Sequence, residues 1–231
     1  SARSERIEYL YRPYRVGDGQ AAITCFFRDE RLSDLIGFEY AKWHGKDAAA
    51  HFVARLEEIA AKAGEDRPVV SVILDGENAW EYYTYNGYYF LDELYAALED
   101  NADIATTTFS QLLDEKRDAA VLPVLVAGSW VYGNLSTWIG SHDKNLAWDL
   151  LCTAKHSFDA VMASGRLDAR EVEQATRQLA DCEASDWCWW FGDYNPAESL
   201  MGFDALYRRR LSPLYSLLKR PVPAALHAPT S

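Results

Sequence analysis

The stretch VVSVILDGENAWEYY, residues 69–83, contains the transition on which the fold prediction depends. Residues 69–74 are apolar or small, which is typical of a buried β-strand. The chain then passes directly into Asp75, Gly76 and Glu77, and aromatic residues beginning at Trp80 follow. Because residues i and i+2 at a strand end point the same way, Asp75 and Glu77 can face one cavity.

The first part of the chain, up to about residue 127, alternates predicted strands with predicted helices. In chain order, these elements are strands at 21–27, 68–74 and 104–109, and helices at 47–64, 88–100 and 110–117. Ser110 is the expected N-cap of the last helix. Strands that alternate with helices predict a parallel sheet or barrel.

The second part of the chain has a helical pattern. Helices are predicted at 144–165, 168–192 and 197–220. Gly165 ends the first, Asp168 and Glu171 have capping-box spacing at the start of the second, and Pro213 is expected to kink or break the third. The predicted organisation is therefore an α/β portion over 1–141, an all-α helical bundle over 142–220 and a flexible tail over 221–231.

The composition excludes several classes of function. The net charge of −12 argues against a nucleic-acid partner, which would require clustered Lys and Arg. No apolar run is long enough for a membrane helix, and the N-terminal residues do not resemble a signal peptide. The four cysteines lack metal-ligand spacing, so we expect no metal site and interpret them as buried reduced thiols of a cytoplasmic protein.

Charged residues follow two of the predicted strands: Arg28 and Asp29 after the first, and Asp75 and Glu77 after the second. In parallel α/β folds, active sites lie at the carboxyl ends of the strands. Carboxylates there can act as general acid or base or can bind sugar hydroxyls. The alternatives, that Asp75 and Glu77 cap the following turn and that Arg28 and Asp29 form a structural ion pair, remain open at this point.

The 8 Trp and 14 Tyr are numerous for this length, and they concentrate near 80–95, 130–148 and 187–194. Some of them must pack the core. Others can provide flat platforms for a ligand with one apolar face and a polar rim, which describes a sugar ring.

Four blocks together resemble glycoside hydrolase family 57, a family of retaining enzymes that act on α-glucans. In chain order they are FFRDERLSDLIGFEY, VILDGENAWEYY, GSWVYGNLSTWIGSHDKNLAW and EASDWCWWFGD. The resemblance covers roughly residues 7–220 and implies part of a (β/α)₇-type barrel followed by a helical region.

The resemblance also implies roles for individual residues. Asp75 matches the general acid/base of the family, and Glu77 matches a neighbouring carboxylate that contacts the sugar. Asp75 must hold a proton in the first step, which a nearby negative charge such as Glu77 would favour. Further substrate contacts are expected at Arg28, Asp29, Trp80, His142, Trp189 and Trp190. The family uses no cofactor, so none is expected here.

The family's nucleophilic Glu lies on an earlier strand, and no block of this chain matches it. We therefore expect the chain to be the C-terminal half of a catalytic domain, inactive by itself. The missing N-terminal half or a self-associated copy would cover its open sheet edges, and an α-glucan or oligosaccharide would be its substrate. Two alternatives remain: a non-catalytic carbohydrate-binding or regulatory module, and a structural fragment without ligand affinity.

Overall fold

The computed structural model describes residues 9–64, 67–76 and 79–227. The chain forms two compact units, Ser1–Leu125 and Val126–Ser231. This division lies before the boundary predicted after residue 141. The first unit is mixed α/β and the second is largely helical in the described residues.

The described part of the first unit contains one small sheet. Its strands are β1 (Tyr14–Val16), β2 (Ile23–Cys25) and β3 (Ala120–Val121), in the order β2-β1-β3. β1 pairs with β2 in antiparallel orientation and with β3 in parallel orientation, so the sheet is mixed rather than wholly parallel.

The predicted strands are shorter than expected or absent from this sheet. The first is reduced to β2, residues 68–74 form a single bridge at Ser71, and residues 104–108 have no regular structure. A strand is defined by hydrogen bonds to a neighbour, and a local apolar run does not supply that neighbour. The larger barrel stays a prediction.

The helices of the first unit agree better with the sequence. Those whose bounds lie within the described residues are α1 (Glu30–Asp34), α2 (Gly45–Lys62), α3 (Tyr88–Glu99) and α4 (Phe109–Asp114). A π-helical turn at Leu35–Glu39 and a 3₁₀ turn at Tyr40–Lys42 connect α1 to the segment before α2. The expected cap at Ser110 is wrong, because Thr108 caps α4 in a capping box with Gln111.

The core of the first unit forms where α2 packs against α3. Its buried side chains are Leu32, Ile36, Tyr40, Ala48, Ala49, Phe52, Tyr83, Phe90 and Leu94. Apolar residues that recur with a helical period on both helices account for this packing.

The second unit contains α5 (His142–Ser164), α6 (Ala169–Cys182), α7 (Asp186–Trp190) and α8 (Ala197–Leu217). α5 ends at Gly165, whose φ of 64° is left-handed, and the predicted capping box of Asp168 and Glu171 is present at α6. The helix predicted at 168–192 is wrong in extent. It ends at Cys182, and after a turn the side chain of Trp187 donates from Nε1 to the carbonyl oxygen of Asp181, 2.9 Å away.

α6 packs along α8, and their apolar faces enclose a second core that includes Leu179, Tyr207 and Leu211. Pro213 lies inside α8 and does not break it. The prediction of a loose tail is wrong for its described part. Leu226 is buried in this core, and the Arg208 guanidinium donates to the carbonyl oxygen of Ala225.

No helix in the described ranges has both the length and the hydropathy needed to cross a bilayer. Within the same ranges, no group of three or more His, Cys, Asp or Glu side chains has a metal-binding arrangement.

Candidate active site

Residues 68–75 lead into the predicted acid/base residue. Val70, Val72 and Leu74 pack against the first core, whereas Ile73 is 41% exposed. This alternation is the period of two expected for an extended chain, although the segment lacks a full ladder. Asp75, two residues after Ile73, is exposed as well.

Asp75 is exposed, and its carboxylate makes no hydrogen bond or ion pair with the residues that the structure describes. A carboxylate that is exposed and without a partner among the described residues is accessible to a ligand. Glu77, its predicted neighbour, lies outside the described residues.

Asp29 has the opposite environment, since it is 4% exposed. Its Oδ1 accepts from the backbone N–H of Leu32 at 2.8 Å, which caps α1, and its Oδ2 accepts from the Tyr11 hydroxyl at 2.6 Å. Burial and this hydrogen bond raise the pKa of Tyr11 above its ordinary value. Both carboxylate oxygens of Asp29 are therefore engaged within the fold, which does not support the predicted contact with a sugar.

Arg28 links the two predicted strand ends. Its Nε donates to the carbonyl oxygen of Ile73 at 3.0 Å, and its Nη2 lies 2.6 Å from Oδ1 of Asp34. The neighbouring backbone N–H of Asp29 donates to the carbonyl oxygen of Ser71 at 2.8 Å. These bonds tie the segment ending at Asp75 to the start of α1, so Arg28 positions this segment.

Trp80 is half-buried and packs on the first core. Its ring centroid lies 5.4 Å from that of Tyr83 and 6.3 Å from that of Phe90. Gly87 has a φ of +79°, and a Cβ there would lie 3.0 Å from Cε3 of Trp80. A larger residue at 87 would therefore displace the Trp80 ring, which packs directly against Gly87.

The remaining predicted contacts lie in the second unit. Trp190 stacks on Phe203, with centroids 4.5 Å apart and an interplanar angle of 10°. Trp189 is 40% exposed, and its ring centroid lies 6.1 Å from that of Trp138. His142 is exposed at the first position of α5. Of the two adjacent tryptophans, Trp189 is thus the one available to a ligand.

Sequence reasoning missed Lys144, a lysine that is only 3% exposed. Its Nζ lies 3.4 Å from the Tyr194 hydroxyl and 5.0 Å from the centre of that ring. The position of Lys144 on the inner face of the predicted α5 pattern was the available signal, since a charged residue there is seldom fully buried.

The second unit contains a cavity of about 280 Å³, lined by Trp138, Trp148 and Trp187 among others. Trp148 and Trp187 pack against the second core. Cys182 and Cys188 line the cavity as well, and both are buried. Burial raises the pKa of Cys182 to about 11 and also raises that of Cys188, so neither thiol is readily ionised. Of the other cysteines, Cys152 is exposed and Cys25 is half-buried, which corrects the expectation that all four are buried.

Solved structures of similar fold are enzymes, and this chain spans between about a third and just over half of their length. A GH57-type branching enzyme from Pyrococcus horikoshii matches with a TM-score of 0.63 and 16% identity, over 99% of this chain and 56% of that one. A GH57 branching enzyme from Thermococcus kodakaraensis, solved with glucose, matches with a TM-score of 0.62 and 18% identity, over 94% and 49%. The 4-alpha-glucanotransferase of Thermococcus litoralis matches with a TM-score of 0.55 and 18% identity, over 90% of this chain and 35% of that one.

At these identities the structures establish similarity of fold alone. A search of curated protein sequences gives no match. The model of the family described as Glycosyl hydrolase family 57 matches residues 2–125, which is more than half of the chain. The chain therefore belongs to glycosyl hydrolase family 57.

Proposed function

We propose that the chain is the acid/base-bearing half of a retaining glycoside hydrolase or transglycosylase that acts on α-glucans, with Asp75 as the general acid/base. The observation that carries this proposal is the contrast between two strand-end aspartates. The carboxylate of Asp29 is consumed by structural hydrogen bonds, whereas Asp75 is exposed and has no partner among the described residues.

In the proposed mechanism Asp75 acts twice. As an acid, it protonates the glycosidic oxygen while a second carboxylate attacks the anomeric carbon and the bond to the leaving group breaks. As a base, it then removes a proton from water, giving hydrolysis, or from an acceptor hydroxyl, giving transfer. The second carboxylate must lie about 5–5.5 Å from the first. We propose that an N-terminal part of the barrel supplies it and that the present residues alone do not turn over substrate.

The other site residues contribute to binding in this proposal. Glu77 and Trp80 contact the sugar next to Asp75, and Arg28 holds the Asp75 segment against α1. In the second unit, Trp189 provides a stacking face and His142 a hydrogen bond to a sugar hydroxyl. We assign Asp29 and Trp190 to the support of these elements, because their own contacts are made within the fold.

The test uses the product of the full reading frame that encodes these residues, with an Asp75→Ala variant. Loss of general acid–base catalysis is expected to lower turnover of an α-glucan by about 10²–10⁴-fold. An α-maltosyl fluoride needs little acid assistance, so the variant still forms the covalent intermediate from it. Azide attacks this intermediate without a base and is expected to restore turnover and yield the α-azide.

Asp100 is an exposed residue directly after α3. The variant Asp100→Asn is the control, and it should leave turnover unchanged. Unchanged turnover of α-glucan by Asp75→Ala would refute the assignment. Recovery of the β-azide would make Asp75 the nucleophile instead.

A non-catalytic carbohydrate-binding module is the second candidate. It is favoured by the exposed aromatic rings of both units, such as Trp43 and Trp189. Glucan binding by the full product without any turnover would select it.

A further inference from the structure

The first unit contains a cavity of about 230 Å³ that none of the described residues of the predicted site lines, although Trp80 packs against its lining residue Tyr83. It lies where the turn Tyr40–Lys42 and the start of α2 meet the residues that begin α3. We call it the Trp43 pocket. Its walls include Trp43, His44, Lys46, Thr84, Tyr89 and Glu93. Arg28, Asp29, Asp75 and Trp80 do not line it.

Two aromatic rings of the pocket are exposed, and one of them, Trp43, also packs against the buried Tyr40. Trp43 is 43% exposed, and its ring centroid lies 5.4 Å from that of Tyr40 and 5.1 Å from that of His51. Tyr89 is 58% exposed and meets Tyr88 edge-on at 5.4 Å. Exposed aromatic rings are suited to an apolar ligand face, and a ring that already packs on its neighbours, such as that of Trp43, binds at little cost in side-chain entropy.

The backbone of the pocket is tightly constrained. A Cβ on Gly45 would lie 3.0 Å from the backbone of Tyr89 and Phe90, so the first turns of α2 and α3 approach closely where these residues line the pocket. Tyr85 and Asn86, which lie between the lining residues Thr84 and Gly87 but do not line the pocket themselves, have left-handed φ values of 51° and 54°. Left-handed backbone at residues other than glycine is costly and concentrates at ligand sites.

Polar groups surround the aromatic rings. His44, Lys46, Thr84 and Glu93 supply donors and acceptors, and neither α2 nor α3 has a side-chain cap on its first N–H groups. Lys46 and Glu93 carry opposite charges, which favours a neutral ligand over an anion. The cavity is smaller than the roughly 300–1,000 Å³ of pockets for drug-sized ligands, so it has room for one ring.

We propose that the Trp43 pocket binds one glucosyl unit of an α-glucan chain, as a non-catalytic site apart from Asp75. The aromatic walls would receive the apolar face of the sugar, and the polar groups its hydroxyls. The identity of the ligand rests on the proposed function. Such a site would hold a long glucan on the protein and raise its effective concentration near any second binding site.

The experiment measures retardation of the isolated chain in native gels that contain soluble amylose or glycogen, with titration of maltotriose by calorimetry. Trp43→Ala and Tyr89→Ala are each expected to weaken binding by about tenfold, because each removes a stacking face. Tyr95→Ala is the matched control, since Tyr95 also lies on α3, is 59% exposed and does not line the pocket.

Tyr89→Ala guards against a folding artefact, because Trp43 packs on Tyr40 whereas Tyr89 is largely exposed. Undiminished affinity in Trp43→Ala and Tyr89→Ala, or equal weakening in Tyr95→Ala, would overturn the inference. So would the absence of any glucan binding by the unaltered chain. The azide experiment on Asp75 judges the proposed catalytic function separately, so the two can fail independently.

Discussion

Replacing Asp29 should destabilise the fold, whereas replacing Asp75 should lower catalysis and leave stability nearly unchanged. Asp29→Ala removes the cap of α1, which costs about 1 kcal/mol. It also leaves the Tyr11 hydroxyl buried without its acceptor, which costs about 1–3 kcal/mol more. The expected loss is therefore about 2–4 kcal/mol in the free energy of unfolding. Asp75→Ala, at an exposed position without a partner among the described residues, should change this free energy by less than about 0.5 kcal/mol.

The assay is urea denaturation followed by tryptophan fluorescence, in which the midpoint and slope of the transition are compared between variants. Because the chain has two units, equal slopes are needed before midpoints are converted to free energies. Tyr11→Phe completes a double-mutant cycle. The double variant Tyr11→Phe/Asp29→Ala has no unsatisfied hydroxyl, so it should lose less stability than the sum of the two single variants.

Two results would refute this reasoning. One is a loss below about 0.5 kcal/mol in Asp29→Ala, which would mean that its hydrogen bonds are not structural. The other is an equal loss in Asp75→Ala, which would place its carboxylate in the fold rather than in a site.

Two further predictions concern buried and exposed aromatic residues. Burial raises the pKa of Tyr40 to about 12, so the folded state keeps its proton while the unfolded state loses it above about pH 10. The free energy of unfolding should therefore fall as pH rises from about 10 to about 12. In denaturation series over this pH range, Tyr40→Phe should make the fall shallower by about 1.4 kcal/mol per pH unit. Equal pH slopes in the unaltered chain and the variant would contradict the effect of burial. Trp190→Ala should lower stability by about 2–3 kcal/mol because it loses its stacking on Phe203, whereas Trp189→Ala, at a 40% exposed ring, should cost less than about 1 kcal/mol. Thermal melts of the two variants compare these losses directly, and similar melting temperatures would show that both rings support the core equally.

The helices were largely predictable because their signals are local. The apolar period of α2 and α3, the left-handed glycine at 165 and the capping box of Asp168 and Glu171 all involve residues within a few positions of one another. The blocks that resemble the family were also readable along the chain, and the family match over residues 2–125, which contains the first two of the four blocks, confirms the family.

The strands were less predictable because each needs a partner that lies far away in sequence. The apolar run at 68–74 has the composition of a strand, yet it forms one bridge, and the unpredicted strand β1 lies at the centre of the sheet. Hydrogen bonds between distant segments decide this outcome, and local composition does not contain them.

The sequence by itself determined which chemical groups are present: two aspartates after predicted strands, a pair of adjacent tryptophans and a family signature around them. Only the tertiary structure decided which member of each pair is free to meet a ligand. Asp29 is enclosed by Tyr11 and the first turn of α1, whereas Asp75 is exposed. Trp190 is stacked on Phe203, whereas Trp189 is open on one side. Residues of the same type differ here because exposure and hydrogen bonding depend on neighbours that folding brings from elsewhere in the chain.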